Sequence, residues 1–199
     1  MNYGTIKKTD VANGPGIRVS VFVSGCTHGC KGCFNREAWD FEYGREYTPA
    51  VEAEILEALS PSYIRGLSVL GGEPMEPANR GTVLALLKKV HRLYPKKDIW
   101  CYTGYDYEKD LLCWAKEEKS GAGDGTCREE PGGNAGEEAN MVCKGEVEEL
   151  LSLIDVLVDG EFVEEKKNLR LRFRGSENQR LIDVKESLRQ GKTVCLSEA

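Results

Sequence analysis

Apolar positions along the chain recur with two periods. Ile17, Val19, Val21 and Val23 alternate with Arg18, Ser20 and Phe22, which predicts a strand over residues 17–24. Val51, Ile55 and Leu59 fall four apart behind Thr48-Pro49, an N-cap residue followed by a first-turn proline, and predict a helix. Residues 66–70 form a short apolar run that stops at a glycine pair, the mark of a buried strand. Val83, Leu86, Leu87, Val90 and Tyr94 share one helical face. A strand over 98–102, a helix over 107–115, a helix over 147–153 and a strand over 155–158 complete the series. The run Arg170-Leu171-Arg172-Phe173-Arg174 reads as the solvated face of a further strand, with a partner surface as the alternative. Strand followed by helix, repeated, calls for a parallel sheet with right-handed crossovers, and such a sheet curves.

The chain has 199 residues, 40% of them hydrophobic and 30% charged, enough for one ordinary domain with a core. Residues 1–199 are therefore expected to form a single domain. A net charge of -6 without a clustered basic stripe argues against a general nucleic-acid binder. No apolar run approaches the length of a bilayer span and no apolar signal peptide is evident, so a cytoplasmic protein is expected. From about 116 to 145 the sequence turns rich in glycine and charge and poor in apolar residues, which predicts a mobile surface insertion.

Chemistry concentrates in Gly25-Cys26-Thr27-His28-Gly29-Cys30-Lys31-Gly32-Cys33-Phe34-Asn35, a C-x3-C-x2-C run directly after the first predicted strand. Disulfides would leave one thiol over and lack an oxidising compartment. Zinc could take the three cysteines with His28 as fourth ligand. Unrelated buried thiols would not need Gly25, Gly29 and Gly32 among them. The favoured reading is a cubane iron–sulfur cluster held by Cys26, Cys30 and Cys33, with one iron open to a substrate. His28 otherwise reads as an exposed loop histidine, and Asp159, Thr103 and Asn178 as local capping or hydrogen-bonding residues, a cation site at Asp159 being the alternative. Cys101, Cys113, Cys127 and Cys143 are irregularly spaced and read as unpaired thiols rather than a second metal site.

These cysteines resemble the signature of the radical S-adenosylmethionine superfamily. Asn13-Gly14-Pro15-Gly16-Ile17-Arg18, Gly71-Gly72-Glu73-Pro74, and Trp100 with Thr103-Gly104-Tyr105 narrow the resemblance. So do Val156-Leu157-Val158-Asp159-Gly160-Glu161-Phe162 and Arg174-Gly175-Ser176-Glu177-Asn178-Gln179. In this order the segments resemble the activating enzymes of anaerobic ribonucleoside-triphosphate reductase. Where many superfamily members have an aromatic residue just before the third cysteine, this chain has Gly32, and the ring follows as Phe34.

The resemblance implies a radical S-adenosylmethionine oxidoreductase, a glycyl radical activase, carrying a 4Fe-4S cluster and S-adenosylmethionine. It implies an incomplete (β/α) barrel, a curved parallel sheet with outer helices, since a closed barrel takes about 250 residues. Gly32, Cys33 and Phe34 are expected against the adenosyl part, and Gly71, Gly72 and Glu73 at the amino group. Beyond the cluster and cofactor site no catalytic residue is expected. An electron from a flavodoxin-like donor would cleave S-adenosylmethionine, and the 5′-deoxyadenosyl radical would take a hydrogen atom from a glycine of the large reductase subunit. Two alternatives stay open: an activase of another glycyl radical enzyme such as a formate-lyase, and a non-enzymatic iron–sulfur or zinc module.

Overall fold

The structure is a computed structural model and describes residues 1–120 and 145–197. Seven strands form one sheet: β1 (Asn2–Asp10), β2 (Ile17–Val23), β3 (Arg45–Glu46), β4 (Ile64–Gly71), β5 (Asp98–Tyr102), β6 (Val156–Asp159) and β7 (Arg180–Asp183). Five helices accompany them: α1 (Pro49–Leu59), α2 (Pro77–Leu93), α3 (Leu112–Ser120), α4 (Glu146–Leu153) and α5 (Val184–Gln190). The predicted strand and helix series is present, the helix predicted over 107–115 beginning with a π-helical turn, Tyr107–Leu111.

Strand order is β3-β1-β2-β4-β5-β6-β7. The central strands β2, β4, β5 and β6 are mutually parallel, each joined to the next through helices, as the alternating pattern requires. The edges are antiparallel, which the expectation of a parallel sheet omits. Residues 11–16 are too few for a crossover, so β1 must return as a hairpin partner of β2. Between β6 and β7 only the 3-10 turn Glu164–Lys166 intervenes, and β7 likewise returns antiparallel. Among the described residues the edge strands β3 and β7 do not pair, so the sheet is open.

The arginine run 170–174 is not a strand. Asn168 accepts the Arg170 amide at 3.0 Å through its side chain, a local turn, and Phe173 takes φ 61°, which breaks an extended run. Of the expected insertion at 116–145, residues 116–120 continue α3, and 121–144, with Cys127 and Cys143, lie outside the described residues. Among the described residues, no helix is long and apolar enough to cross a membrane.

The alternation that marks β2 separates two buried faces. Val19, Val21 and Val23 join Leu67, Val69, Ile99, Cys101 and Leu157 in the core beneath the helices. The opposite face has a small apolar cluster, Trp100, Val156, Val158 and Leu181, beside a polar half at β2 and β4. Arg18 is fully buried there. Its Nε donates to Ser68 Oγ at 2.8 Å, Nη2 donates to the Leu67 carbonyl at 2.8 Å, and Nη1 pairs with Asp98. Ser68 Oγ donates to the Asn13 carbonyl at 2.6 Å, and Asp10 accepts from Ser20 Oγ at 2.6 Å and from the Ala12 amide at 3.1 Å. Gly14, at φ 129°, lies on this arginine: a Cβ there would stand 2.8 Å from Arg18 Cδ. The buried guanidinium thus fixes the Asn13-Gly14-Pro15-Gly16 loop, which leads into the amino end of β2, and Asn13 reaches the cavity described below.

Arg18→Ala is expected to destabilise the cluster-free protein by roughly 3 kcal/mol, the low end for a broken buried ion pair, since Arg65 still pairs with Asp98 at 2.8 Å. Urea unfolding measures it, and an unchanged midpoint would contradict the account.

Candidate metal and cofactor site

β2 runs into the cysteine loop through Ser24 and Gly25. The Gly25 amide donates to the Ala38 carbonyl at 2.9 Å and the Cys26 amide to the Trp39 carbonyl at 3.1 Å, so the loop closes on the turn that follows it. Gly25 has φ 93° and the Phe41 ring lies against its backbone, leaving no room for a Cβ. Within the loop the Cys33 amide donates to the Cys30 carbonyl at 3.1 Å, and Gly29 and Gly32 turn the chain at φ 65° and 74°. Cys26, Cys30 and Cys33 are half-buried and free of disulfides. Burial pushes the Cys26 thiol up to about 11, against the pull of the His28 amide. It raises the Cys30 thiol as well, against the Phe162 amide.

The Gly-Gly-Glu-Pro turn at the end of β4 packs directly on the start of this loop. The Gly72 amide donates to the Val23 carbonyl at 2.7 Å and the Glu73 amide to the Gly25 carbonyl at 2.8 Å. A Cβ on Gly71 would lie 2.7 Å from the Val23 amide nitrogen, and one on Gly72 2.5 Å from the Gly25 carbonyl oxygen. The glycine pair therefore makes room for the backbone of Val23 and Gly25 at the start of the cysteine loop.

Glu73 is 1% exposed, and its carboxylate already meets three protein donors. Oε1 accepts the Met75 amide at 2.8 Å; Oε2 accepts the Gly104 amide at 2.7 Å and faces His28 Nε2 at 3.0 Å. Thr27 adds a parallel link, its amide and hydroxyl donating to Glu76 Oε1 at 2.8 and 2.5 Å. The cysteine loop, the β4 turn and the Thr103-Gly104 turn after β5 thus converge at the carboxyl ends of the parallel strands, as expected.

His28 corrects the sequence reading. Its side chain is 9% exposed rather than solvated, with Nδ1 3.1 Å from Glu161 Oε1 and the ring edge-on to Tyr105 at 4.4 Å between centroids. Burial draws its pKa down, but the hydrogen bonds and charges of Glu73 and Glu161 outweigh burial and leave it above its ordinary value. Thr103 is a local hydrogen-bonding residue as expected, its Oγ1 accepting the Tyr105 amide at 3.1 Å, whereas Asn178 Nδ2 donates at 2.8 Å to the Glu161 carbonyl, 17 residues away.

Beside the loop lies a cavity of about 470 Å³, walled by Gly32, Phe34, Asn13, Leu70, Tyr102 and Phe162 among others. Gly32 and Phe34 are thus brought to one hollow, while Gly71, Gly72 and Glu73 sit behind it against Gly25. Phe34 is 88% exposed at the rim. The Tyr102 hydroxyl is buried with no hydrogen-bond partner among the described residues. Sequence reasoning passed over Tyr102, although its place as last residue of a predicted strand carrying the site was a usable signal.

Asp159 joins Asp106 and Glu108 in a carboxylate group, and Arg180 occupies it. Arg180 donates to both Glu108 oxygens at 3.0 and 2.6 Å and to Asp159 Oδ1 at 3.0 Å, while Asp159 Oδ2 accepts the Tyr107 amide at 3.0 Å. The cation at Asp159 is a guanidinium. Cys101 is fully buried and burial holds it as the neutral thiol; Cys113 is exposed on α3.

Comparison with known proteins gives two findings. Residues 12–119 and 134–182 match the family model of a 4Fe-4S single cluster domain. The chain is 38% identical over 181 residues to the anaerobic ribonucleoside-triphosphate reductase-activating protein of Vibrio cholerae, covering 90% of this chain and 96% of that one. It is 36% identical over 185 residues to the protein of that name from Enterobacteria phage T4, covering 91% and 93%. To its namesake from Escherichia coli K12 it is 36% identical over 181 residues, covering 90% and 96%.

The Arg180 pair predicts an acid limb. Burial raises the Glu108 carboxyl, but hydrogen bonds from Arg180 and Thr193 outweigh it and bring it from its ordinary 4.5 to about 2. A depressed carboxyl contributes stability that is complete above pH 4.5 and lost as pH falls through about 2. Arg180→Gln is expected to be the less stable protein above pH 4.5, with the difference shrinking towards pH 2, as read by thermal melts across that range. A constant difference would contradict the pairing.

Proposed function

The chain belongs to the family of anaerobic ribonucleoside-triphosphate reductase-activating proteins, and from that premise we propose that it activates such a reductase through a 4Fe-4S cluster and S-adenosylmethionine. The observation that carries this reading is one loop with three half-buried free cysteines, clamped to the Gly-Gly-Glu-Pro turn beside a ligand-sized cavity.

The donor set suits the cluster. Cys26, Cys30 and Cys33 are its three thiolate ligands, which leaves one iron for the amino and carboxylate groups of S-adenosylmethionine. Burial disfavours free thiolates here, and a bound metal supplies the positive charge they need. Among the described residues, no fourth cysteine accompanies these three in the loop, and both nitrogens of His28 face carboxylates, which weighs against a Cys3His zinc site.

The cavity suits the organic cofactor. Gly32 and Cys33 bring the loop backbone towards the adenosyl part, and Phe34 closes the rim as its apolar cover. An unpartnered buried hydroxyl is costly, by about 1–3 kcal/mol, so the Tyr102 Oη is read as a donor to a polar atom of the bound cofactor. Gly71 and Gly72 hold the turn that meets the amino group. Glu73, its oxygens shared among protein donors, acts from behind as the fixed negative charge that favours an ammonium in front of it.

When bound and reduced, the two groups together supply reductive cleavage of S-adenosylmethionine and the hydrogen-atom abstraction that leaves a glycyl radical on the reductase. The chain's own work is orientation and exclusion. The helix-backed open sheet fits the incomplete (β/α) barrel of this superfamily, and its open side admits a glycine-bearing segment of the large reductase subunit. A flavodoxin-like protein is the proposed electron donor, residues 1–199 the single catalytic domain, and the cytoplasm the proposed location. The names of the relatives favour a ribonucleotide reductase over a formate-lyase as the target.

Anaerobic reconstitution with iron and sulfide, reduction by dithionite and assay of 5′-deoxyadenosine test the reading. Cys26→Ala, Cys30→Ala and Cys33→Ala are each expected to abolish product, and Cys113→Ala, on an exposed helical position, to spare it. Full product from any of the first three would remove the cluster assignment; a loaded, reducible protein that yields none even with reductase would leave a metal module without this activity. Tyr102→Phe is expected to raise the half-saturating S-adenosylmethionine concentration about 5- to 10-fold, as for one lost hydrogen bond of about 1 kcal/mol or slightly more. An unchanged saturation curve would place the hydroxyl outside the cofactor site.

A further inference from the structure

His28 is the one side chain of the cysteine loop that reaches the ends of three parallel strands at once. Nε2 meets Glu73 after β4 at 3.0 Å, the ring lies on Tyr105 after β5 at 4.4 Å, and Nδ1 meets Glu161 after β6 at 3.1 Å. The β5 turn is cut to fit it, since a Cβ on Gly104 would stand 2.6 Å from the imidazole. Tyr105 is backed in turn by Trp114 at 4.8 Å, so the ring rests on a packed aromatic stack. Thr27 is a second side-chain tie of this arm of the loop, to Glu76 on the β4 side and to the Tyr105 side chain after β5, and it does not reach β6. With the imidazole gone, the loop would keep Thr27 at Glu76 and Lys31 at Glu164 and Glu165 but lose its buried bridge from Glu73 to Glu161.

We propose that His28 is a positioning residue: by bridging Glu73 and Glu161 across Tyr105 it fixes the cysteine loop against the cofactor turn, and so sets affinity for S-adenosylmethionine without ligating iron. The inference rests on the radical reading above. Both nitrogens face carboxylates, so neither offers a lone pair to a metal in this arrangement. Chelation of the open iron by an amino acid group tolerates displacements of only about 0.5 Å. The start of the loop is already clamped to the Gly71-Gly72-Glu73 turn through backbone bonds, so the quantity that His28 controls is the set of the loop's middle, around Cys26 to Cys30, against that turn.

The test compares reconstituted wild type, His28→Ala, His28→Gln and Gly104→Ala. The last keeps the imidazole but crowds it out of its seat, and Gln restores a donor to Glu73 without reaching Glu161 and Tyr105 together. Three readings are taken: iron and sulfide content, the electron paramagnetic resonance signal of the reduced cluster titrated with S-adenosylmethionine, and KM against kcat for 5′-deoxyadenosine. All variants are expected to load full iron. The cofactor-induced spectral change is expected to need at least 10-fold more S-adenosylmethionine in His28→Ala and Gly104→Ala, with His28→Gln between these and wild type, and KM is expected to rise more than kcat falls. Unchanged titrations in both alanine variants would overturn the positioning role, as would loss of iron in His28→Ala while Gly104→Ala keeps it, which would make His28 a ligand. A wild-type cluster that does not respond to S-adenosylmethionine at all would overturn the radical reading itself.

Discussion

A carboxylate taken out of water must find donors inside the protein, and the site is arranged around the buried carboxylate of Glu73. It draws the Met75 amide from its own turn, the Gly104 amide from the β5 turn, and the imidazole of His28 from the cysteine loop. Each donor belongs to a different connection at the same end of the sheet, so satisfying one charge brings three loops into register. The glycine pair before it serves the same end: Gly71 and Gly72 let the turn approach the backbone of Val23 and Gly25 closely enough for amide-to-carbonyl bonds of 2.7 and 2.8 Å. Losing any one donor would leave a buried acceptor short of partners and loosen the two connections that carry the chemistry.

The two faces of the sheet divide the labour of stability and function. Beneath the helices, Val19, Val21, Val23, Leu67 and Val69 form an ordinary apolar core. The opposite face at β2 and β4 buries Arg18, Ser20 and Ser68 instead. A guanidinium there is tolerable because its donors all meet acceptors, on Asp98, Ser68 and the Leu67 carbonyl. Its return is a rigid Asn13-to-Gly16 loop at the wall of the cavity. The polar face thus shapes a hollow at the strand ends without filling it.

Much of this was legible in the chain and some was not, for physical reasons. The strand β2, the capped start of α1 and the helix α2 announce themselves because their period and caps are local. The edge strand β1 does not, since Lys7, Lys8 and Thr9 face solvent and leave no apolar alternation to read. Strand β7 and helix α5 were missed although Asp183, which accepts the Glu186 amide at 2.9 Å, forms the Asp-x-x-Glu start of a helix. The three cysteines proposed as ligands stand within eight residues of one another, a spacing that is visible in the sequence. The partners of His28 lie 45 and 133 residues away, and no local pattern announces such a bridge.

The placement of fixed cations explains why one polar cluster calls for a ligand and another does not. Asp106, Glu108 and Asp159 have the donor atoms of a metal site, yet the guanidinium of Arg180 sits among them and supplies a cation from within the chain. The cysteine loop has no such partner: the charged neighbours that act on Cys26 and Cys30 are carboxylates and each other's thiols, all of which oppose ionisation. Left alone, Cys26 and Cys30 are held towards the neutral thiol. Thiolates there would need positive charge from outside, and the proposed cluster would bring it beside the Gly-Gly-Glu-Pro turn. Arg180 thus occupies the carboxylate group from within the chain, whereas the surroundings of Cys26 and Cys30 favour a ligand that brings positive charge.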